Sequence, residues 1–429
     1  MADIAMSERS LQAKPELTTA DGVPLKKKLA QSLRRSRLRA FMLTAPLVLF
    51  ILVSFILPIG QMLTRSINND AFGAALPNTA AALLEWDQSA SPDGLPDEAM
   101  FEMFVQDLTE ARANRTIGRA ATRINYDFSG TRSLFMSAAR KAKRIEAPYK
   151  DSVLALNKKW SDPKVWAAMK RVSSDYTPGF YLAAVDRTIN ESGDIVMQDE
   201  TRQIYVKLFL RTLWLSLVIT VLCLLLAFPI SYLLSVLPLR TSNLLMILVL
   251  LPFWTSLLVR TTSWIALLQT EGIVNDILVT VGFISDDGRV QMIYNQTGTI
   301  VAMTHILLPF MVLPLYSVMK TIPPSYMRAA RSLGADQLTA FRRIYFPQTV
   351  PGIAAGTLLV FILAIGYYIT PALVGGQDGQ LISNIIAFHM QKSLNWSLAA
   401  ALGAILLAGV LILYWLYNRL VGIDNLKFG

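Results

Sequence analysis

Two histidines, His305 and His389, and one cysteine, Cys223, are the side chains with which this 429-residue chain could ligate a metal or attack a substrate. Both tasks need neighbours at short range: a metal gathers several His, Cys, Asp or Glu ligands, and a nucleophile needs an oriented base. Neither histidine has a Cys, Asp or Glu at ligand spacing, and no nucleophile-and-base constellation stands out. No G-x-x-x-x-G-K-[ST] loop is present either, so the sequence offers no recognisable ATP site of its own. A lone cysteine forms no intrachain disulfide. His305 falls inside one apolar run and His389 shortly before another, and both are expected to be packed or interfacial. Enzymatic chemistry and bound metals or cofactors are therefore not expected in this chain.

Arg260 poses a different question. It lies in an apolar run, 243–268, beside Trp254, Thr255, Thr261 and Thr262. A cation costs a few kcal/mol at the middle of a bilayer and less near its edge, so such a residue is a functional candidate by default. Two roles stay open: lining a polar path between helices, or snorkelling to the interface from the outer end of its helix. Trp254 could also simply pack against lipid or a neighbouring helix. In "GYYITPALVGG" (366–376), Pro371, Gly375 and Gly376 could open backbone carbonyls toward a solute or end a helix. Tyr367 and Asn384 are the remaining polar candidates, and Asn384 could hydrogen-bond within a helix bundle.

The elements that must hold these residues follow from composition. With 53% hydrophobic and 16% charged residues, the chain is too apolar for an ordinary soluble domain. Its apolar residues collect into six blocks, at about 41–63, 208–236, 243–268, 299–320, 351–375 and 398–420. Each holds roughly 20 residues, the length that crosses about 30 Å of hydrocarbon. The first follows a long polar stretch, exceeds the apolar region of a signal peptide and lacks a small-residue cleavage site, so it is expected to be retained.

Formal net charge is +10, unevenly placed. "LKKKLAQSLRRSRLRA" (25–40) sets Lys26, Lys27, Lys28, Arg34, Arg35, Arg37 and Arg39 directly before the first block. Such a run could bind nucleic acid, but beside a membrane helix the positive-inside rule accounts for it. The N-terminus is then cytoplasmic, and six spans return the C-terminus, with Arg419 and Lys427, to the same side. The 320–350 connection carries Lys320, Arg328, Arg331, Arg342 and Arg343 and falls on the cytoplasmic side by the same count.

The expected fold is an all-α integral membrane protein. Its six transmembrane helices carry a mostly helical external insertion, with a small hairpin, between helices 1 and 2. The layout is a basic N-terminal tail (1–40), the first transmembrane helix (41–63), the insertion (64–206), a five-helix core (207–420) and a C-terminal tail (421–429). Residues 1–24 read as disordered, with Pro15 and Pro24 as breakers. Within the insertion, Met100, Phe104 and Leu108 repeat at helical spacing and "RSLFMSAARKAKRI" (132–145) continues it. "DPKVWAAMKRV" (162–172) opens with an Asp-Pro helix start, and "FYLAAVDRTINESGDIVMQ" (180–198) reads as a hairpin.

Between two apolar blocks lies "RAARSLGADQLTAFRRIYFPQTVPG" (328–352). "TIPPSY" (321–326) ends one helix, and Ser325 could cap a new one. Tyr326, Ala329, Ala330 and Leu333 would share a face, and Gly334 follows as a left-handed cap. Asp336 can cap a second helix with Leu338, Phe341 and Tyr345 on one face and Arg342 and Arg343 elsewhere, and Pro347 would stop it. The expectation is a pair of short helices at a glycine elbow, with an apolar stripe and basic edges. It could lie on a membrane surface or insert into a groove of a soluble partner.

Here the chain resembles a family. "MRAARSLGADQLTAFRRIYFPQTVPGI" (327–353) is similar to the cytoplasmic coupling loop, the EAA motif, of ABC importer permeases. Ala329, Ala330, Gly334 and Pro347 match it position by position, while Arg328 replaces the leading Glu and Phe346 stands where Leu is usual. "LPFWTSLLVRTTSWIALLQTEGIVNDIL" (251–278), "LPFMVLPLYSVMKTIP" (308–323) and "IGYYITPALVGGQDGQLISNII" (365–386) resemble spermidine/putrescine-type permeases. Tyr367 occupies a position where that group often has an acid. The long insertion is not typical of the group.

The resemblance implies a multi-pass permease subunit of the bacterial inner membrane, with no ATPase domain of its own. It implies a second permease chain, identical or homologous, two cytoplasmic ATPase subunits that bind ATP and magnesium, and a periplasmic substrate-binding protein. The contact with the ATPase would involve Tyr326, Arg328, Ala329, Ala330, Arg331, Leu333, Gly334, Leu338, Phe341, Arg342 and Pro347. The path would involve Trp254, Thr255, Arg260, Thr261, Tyr367, Pro371 and Asn384. The implied solute is small and polar, polyamine-like, with an organic anion or amino-acid derivative as the alternative. An ion-coupled secondary transporter would need intramembrane carboxylates or matched broken helices in two repeats, and neither is visible. A sensor would need an output domain after the last helix, where "NRLVGIDNLKFG" follows.

Overall fold

A computed structural model describes residues 25–190 and 194–421. The expectations for residues 1–24, for the hairpin apex at 191–193 and for the C-terminal tail with Lys427 lie outside the described residues, as do the side chains of Lys26, Lys27 and Lys28. Five helices are long and apolar enough to cross a membrane, and a sharply bent pair makes a sixth if counted as one span.

The first long helix is Ser32–Arg65. It begins earlier than the apolar block because helix-favouring arginines extend it at the front. It stays helical through Pro46 and widens into a π-turn at Leu52–Ile56.

Residues 70–184 form a helical body with its own core. Phe101, Phe104, Phe135, Trp160 and Trp166 meet there, edge to face except for the tilted Trp160–Trp166 pair, with ring centroids 4.7–5.9 Å apart. Met100, Phe104 and Leu108 are buried along Glu98–Ala113, as their spacing requires. Asp162 accepts a hydrogen bond from the Lys164 amide and starts Pro163–Ser173, the Asp-Pro start read from sequence. Buried Asp107 accepts from the Thr79 amide and hydroxyl, both at 2.7 Å, and from Asn78 at 2.9 Å. The hairpin is shorter than expected: among the described residues, the paired strands are Arg187–Ile189 and Ile195–Met197, antiparallel. The "FYLAA" portion is instead the helix Gly179–Ala184. Phe180 and Ala184, four residues apart, bury against Leu398, Ala401 and Leu402 of the last long helix, and that packing overrides the β-like composition.

The second (Tyr205–Val236), fourth (Gln296–Thr321) and fifth (Gln337–Gly366) long helices pack into one bundle around Leu215, Ile219, Met303, Leu307 and Val360. Pro229, Pro309 and Pro314 lie inside these helices, as membrane helices tolerate. The last long helix is Trp396–Arg419.

Two blocks depart from expectation. The third, 243–268, is two legs, Leu239–Trp254 and Leu257–Thr280, bent by 97°. Pro252 removes an amide, the chain tightens into a 3-10 turn at Leu251–Trp254, and Ser256 caps the second leg by accepting from the Val259 amide at 3.2 Å. The fifth block, 351–375, is displaced: its helix starts at Gln337 and ends at Gly366, and Ile369–Val374 is a separate short helix.

Candidate functional site

The polar connection folds as an elbow. Its first helix is Pro324–Ser332, with Pro323 as N-cap and Pro324 at the first position. Ser325 is therefore not the cap expected from sequence, because the proline ring is already preset for the first helical turn. Gly334 has φ +92°, and the chain reverses through two bonds: Gly334 amide to Arg331 carbonyl at 3.0 Å and Ala335 amide to Ala330 carbonyl at 3.1 Å. This is a Schellman cap, which an L side chain at position 334 would strain. Asp336 then accepts from the Leu338 and Thr339 amides at 3.1 and 3.3 Å. The Thr339 hydroxyl and amide hold the Asp336 carboxyl below its ordinary value.

The second helix does not stop at Pro347. A π-turn at Phe341–Tyr345, closed by the Phe346 amide on the Phe341 carbonyl, lets the helix run on into Phe346–Gly366. The wider turn removes the clash a proline makes with an ordinary helical turn. The elbow is thus rigidly continuous with a long membrane helix.

The apolar stripe is only partly as expected. Tyr326 (49%), Leu333 (89%) and Leu338 (63%) are exposed on either side of Gly334. Phe341 and Tyr345 turn inward instead, edge to face with Phe228 at 6.1 Å and with Tyr232 at 5.4 Å on the second long helix. They anchor the elbow, as does Lys320, which donates to the Ser235 carbonyl at 3.1 Å. Ala330 is buried and Ala329 exposed. Arg328, Arg331, Arg342 and Arg343 are exposed, and none forms an ion pair among the described residues.

The other candidates divide. Arg260 and Thr261 are the fourth and fifth residues of the second leg of the bent pair. Thr261 is buried, donates to the Leu257 carbonyl at 2.9 Å and lies 3.3 Å from the Thr370 hydroxyl, next to Pro371. Arg260 donates its amide to the Ser256 carbonyl at 3.1 Å. Its Nε is buried without a hydrogen-bond partner among the described residues. Trp254 (72% exposed) and Thr255 stay at the break, where Thr255 bonds the Pro252 carbonyl.

Asn384 closes a helix start, accepting from the Leu381 amide at 2.9 Å and donating to the Tyr368 carbonyl at 2.7 Å. Two carbonyls near "VGG" are bonded within the chain. The Val374 carbonyl accepts from the Tyr294 amide at 2.8 Å and the Gly379 carbonyl from the Thr299 hydroxyl at 3.0 Å, so this segment ends a helix.

Sequence reasoning set His305 aside and did not single out Trp264. The Trp264 indole donates to His305 Nδ1 at 3.1 Å, and Trp264 follows Arg260 at helical spacing. That i, i+4 spacing, with a histidine facing it from another apolar run, was the available signal.

Residues 204–421 match the family model described as binding-protein-dependent transport system inner membrane component. The spermidine/putrescine transport system permease protein PotB of Escherichia coli is 36% identical over 221 residues, 51% of this chain and 80% of PotB. The inner membrane ABC transporter permease protein YdcU of the same organism is 31% identical over 204 residues, 45% of this chain and 65% of YdcU. Among solved structures, a bacterial ABC transporter involved in the import of the acidic polysaccharide alginate is similar at 22% identity. It has a TM-score of 0.43 and covers 54% of this chain and 82% of its own.

Proposed function

Because this chain belongs to the family of binding-protein-dependent transport system inner membrane components, we propose that it is the permease subunit of an ABC importer that carries a small polar, polyamine-like solute. In this reading the elbow at 323–347 docks into a cytoplasmic ATPase subunit that supplies ATP and magnesium chemistry, and a second permease chain completes the path. A periplasmic binding protein delivers the solute. The bent pair counts as one of six spans, both termini are cytoplasmic and the 64–206 body lies outside. The basic residues at 26–39 and 320–343 and at Arg419 favour that orientation.

The observation that carries the reading is the Schellman elbow itself, which presents Leu333 and Leu338 to solvent on a support continuous with a membrane helix. An exposed apolar tip flanked by cations is a helix-in-groove ligand. Because the elbow continues into Gln337–Gly366, movement of the docked partner transmits to the bundle as a rigid lever. The path is proposed around Arg260, Thr261, Tyr367 and Pro371, with Trp264 and His305 added. Arg260, whose buried Nε has no hydrogen-bond partner among the described residues, favours a second reading in which an anionic part of the solute is handled there.

Affinity purification from native membranes tests the main reading, with copurifying proteins identified by mass spectrometry. A near-stoichiometric ATPase, lost in Leu333→Glu and Leu338→Glu, supports it. An ATPase retained by both variants sinks the elbow as the contact.

A further inference from the structure

The first long helix carries its charge at one end. From residue 22 to residue 69 the sequence holds no Asp or Glu, yet seven Lys and Arg fall within 26–39. The helix Leu25–Ile51 runs unbroken through that basic stretch into the apolar block, with no acid in its first turn. Arg34, Arg35, Arg37 and Arg39 are exposed, and none forms an ion pair among the described residues. Arg35 and Arg39 stand at i, i+4, and Arg34 and Arg37 at i, i+3, spacings at which like charges repel. The helix thus gathers cations that no acid of its own sequence offsets.

A second observation is where those cations stand. Phe41 opens the apolar block. At 1.5 Å per residue, Arg39 and Arg37 lie about 3 and 6 Å before Phe41 along the axis, and Arg35 and Arg34 about 9 and 10 Å. The headgroup layer of a bilayer is about 5–8 Å deep on each side, so Arg39 and Arg37 fall within it. Arg35 and Arg34 fall just outside, within one screening length at physiological salt. At 100° per residue the four arginines also spread over about 200° of the circumference. An acidic groove on a protein would engage one face of the helix. Headgroups surround a membrane helix, so a lipid surface can engage all four cations at once.

We infer that Arg34, Arg35, Arg37 and Arg39 form a collar that binds anionic phospholipid headgroups in the leaflet on their side of the membrane. Guanidinium groups present paired N–H donors that match phosphate oxygens, and each cation near an anionic surface strengthens binding by about fivefold. Bound headgroups relieve the repulsion along 34–39, hold this end in its helical form and fix the depth of the helix in the bilayer. The collar rests on the first long helix crossing a bilayer. It needs neither the ATPase contact nor a particular solute, so failure of either leaves it standing.

The test follows amide hydrogen exchange over 25–40 in the full chain, in nanodiscs of phosphatidylcholine and of an equal mixture with phosphatidylglycerol. Phosphatidylglycerol should slow that exchange at least about fivefold, and about 0.5 M salt should remove the effect. Arg34→Gln/Arg35→Gln/Arg37→Gln/Arg39→Gln should lose most of the protection, while the four matching Arg→Lys changes should keep most of it. Exchange within Tyr205–Val236 equal to wild type shows that each variant folds. Equal exchange in the two lipids overturns the collar, as does protection undiminished in the glutamine variant. Inorganic phosphate protecting the chain in phosphatidylcholine as well as phosphatidylglycerol does would make a free anion the ligand and overturn the lipid. Protection given by a copurifying protein and not by phosphatidylglycerol would assign the collar to a protein surface instead.

Discussion

Gly334→Ala separates the shape of the elbow from everything that surrounds it. Gly334 sits at φ +92°, and a Cβ added there would meet nothing within 4 Å. The substitution therefore introduces no clash, and its whole cost is that of holding an L residue in the left-handed region, about 1–2 kcal/mol. An exposed elbow can escape that cost by leaving the Schellman conformation, so the strain appears when a partner demands the conformation back. In that case the affinity of the chain for the proposed ATPase partner falls by about 5–30-fold, the factor that 1–2 kcal/mol represents. The assay is titration of the purified ATPase against the chain in nanodiscs, with thermal unfolding measured alongside. Gly334→Asn should recover most of the loss, since asparagine visits the left-handed region more readily. Alanine binding as tightly as glycine would refute the requirement for this backbone shape. Asparagine no better than alanine would refute the conformational explanation.

Three further outcomes follow from buried polar groups. Arg260→Met removes a buried, unpartnered Nε, so it should cut transport at least about tenfold while leaving Tm unchanged or raised; a variant with normal uptake would dismiss Arg260 from the path. Asp107→Ala orphans the Thr79 amide, the Thr79 hydroxyl and Asn78, and should destabilise the helical body by about 3 kcal/mol, read as faster limited proteolysis within 70–184. His389, bonded to Tyr205 at 3.0 Å and Ser393 at 2.8 Å, is held by burial below its ordinary value of 6.5. The unfolded chain then protonates first, so this contribution to stability is complete above pH 6.5 and falls as pH drops from 6.5 toward the lowered native value. Comparison of Tm against pH with His389→Gln, which should be flatter over that window, checks the sign.

What the sequence revealed of the elbow was its local chemistry. Gly334 and Asp336 act through backbone groups one to five residues away, and both took the roles their types suggest. Ser325 lost its capping role because two adjacent prolines compete for the same turn and Pro324 fits its first position better. Phe341 and Tyr345 were misplaced because their destinations, Phe228 and Tyr232, lie more than a hundred residues away in sequence. Pro347 was read as a stop because a π-turn leaves no mark in composition. The same limit hid the bend of the third block: Pro252 was visible, but hydropathy runs on without a gap where the helix turns by 97°. "FYLAA" read as a strand, since only contact with the last long helix makes it helical.

The departure from the family pattern at Arg328 can be weighed on the same geometry. Arg328 is exposed, so neither the backbone nor the packing of the elbow depends on which charge it carries. The shape is set by Gly334 and Asp336 and by the aromatic anchors, all of which are in place. What changes is the charge offered to a partner. Within 321–350 the sequence has Arg328, Arg331, Arg342 and Arg343 against one acid, Asp336. The groove of the proposed ATPase should therefore be acidic where it faces the first elbow helix. Binding should weaken steadily as salt rises from about 0.05 to 0.5 M, where screening shortens the reach of exposed charges below about 10 Å. Arg328→Glu should flatten that salt dependence and weaken low-salt binding while Tm holds. Equal or tighter low-salt binding by Arg328→Glu would mean that the partner retains a surface suited to the acidic form of the motif, and that Arg328 faces away from the contact.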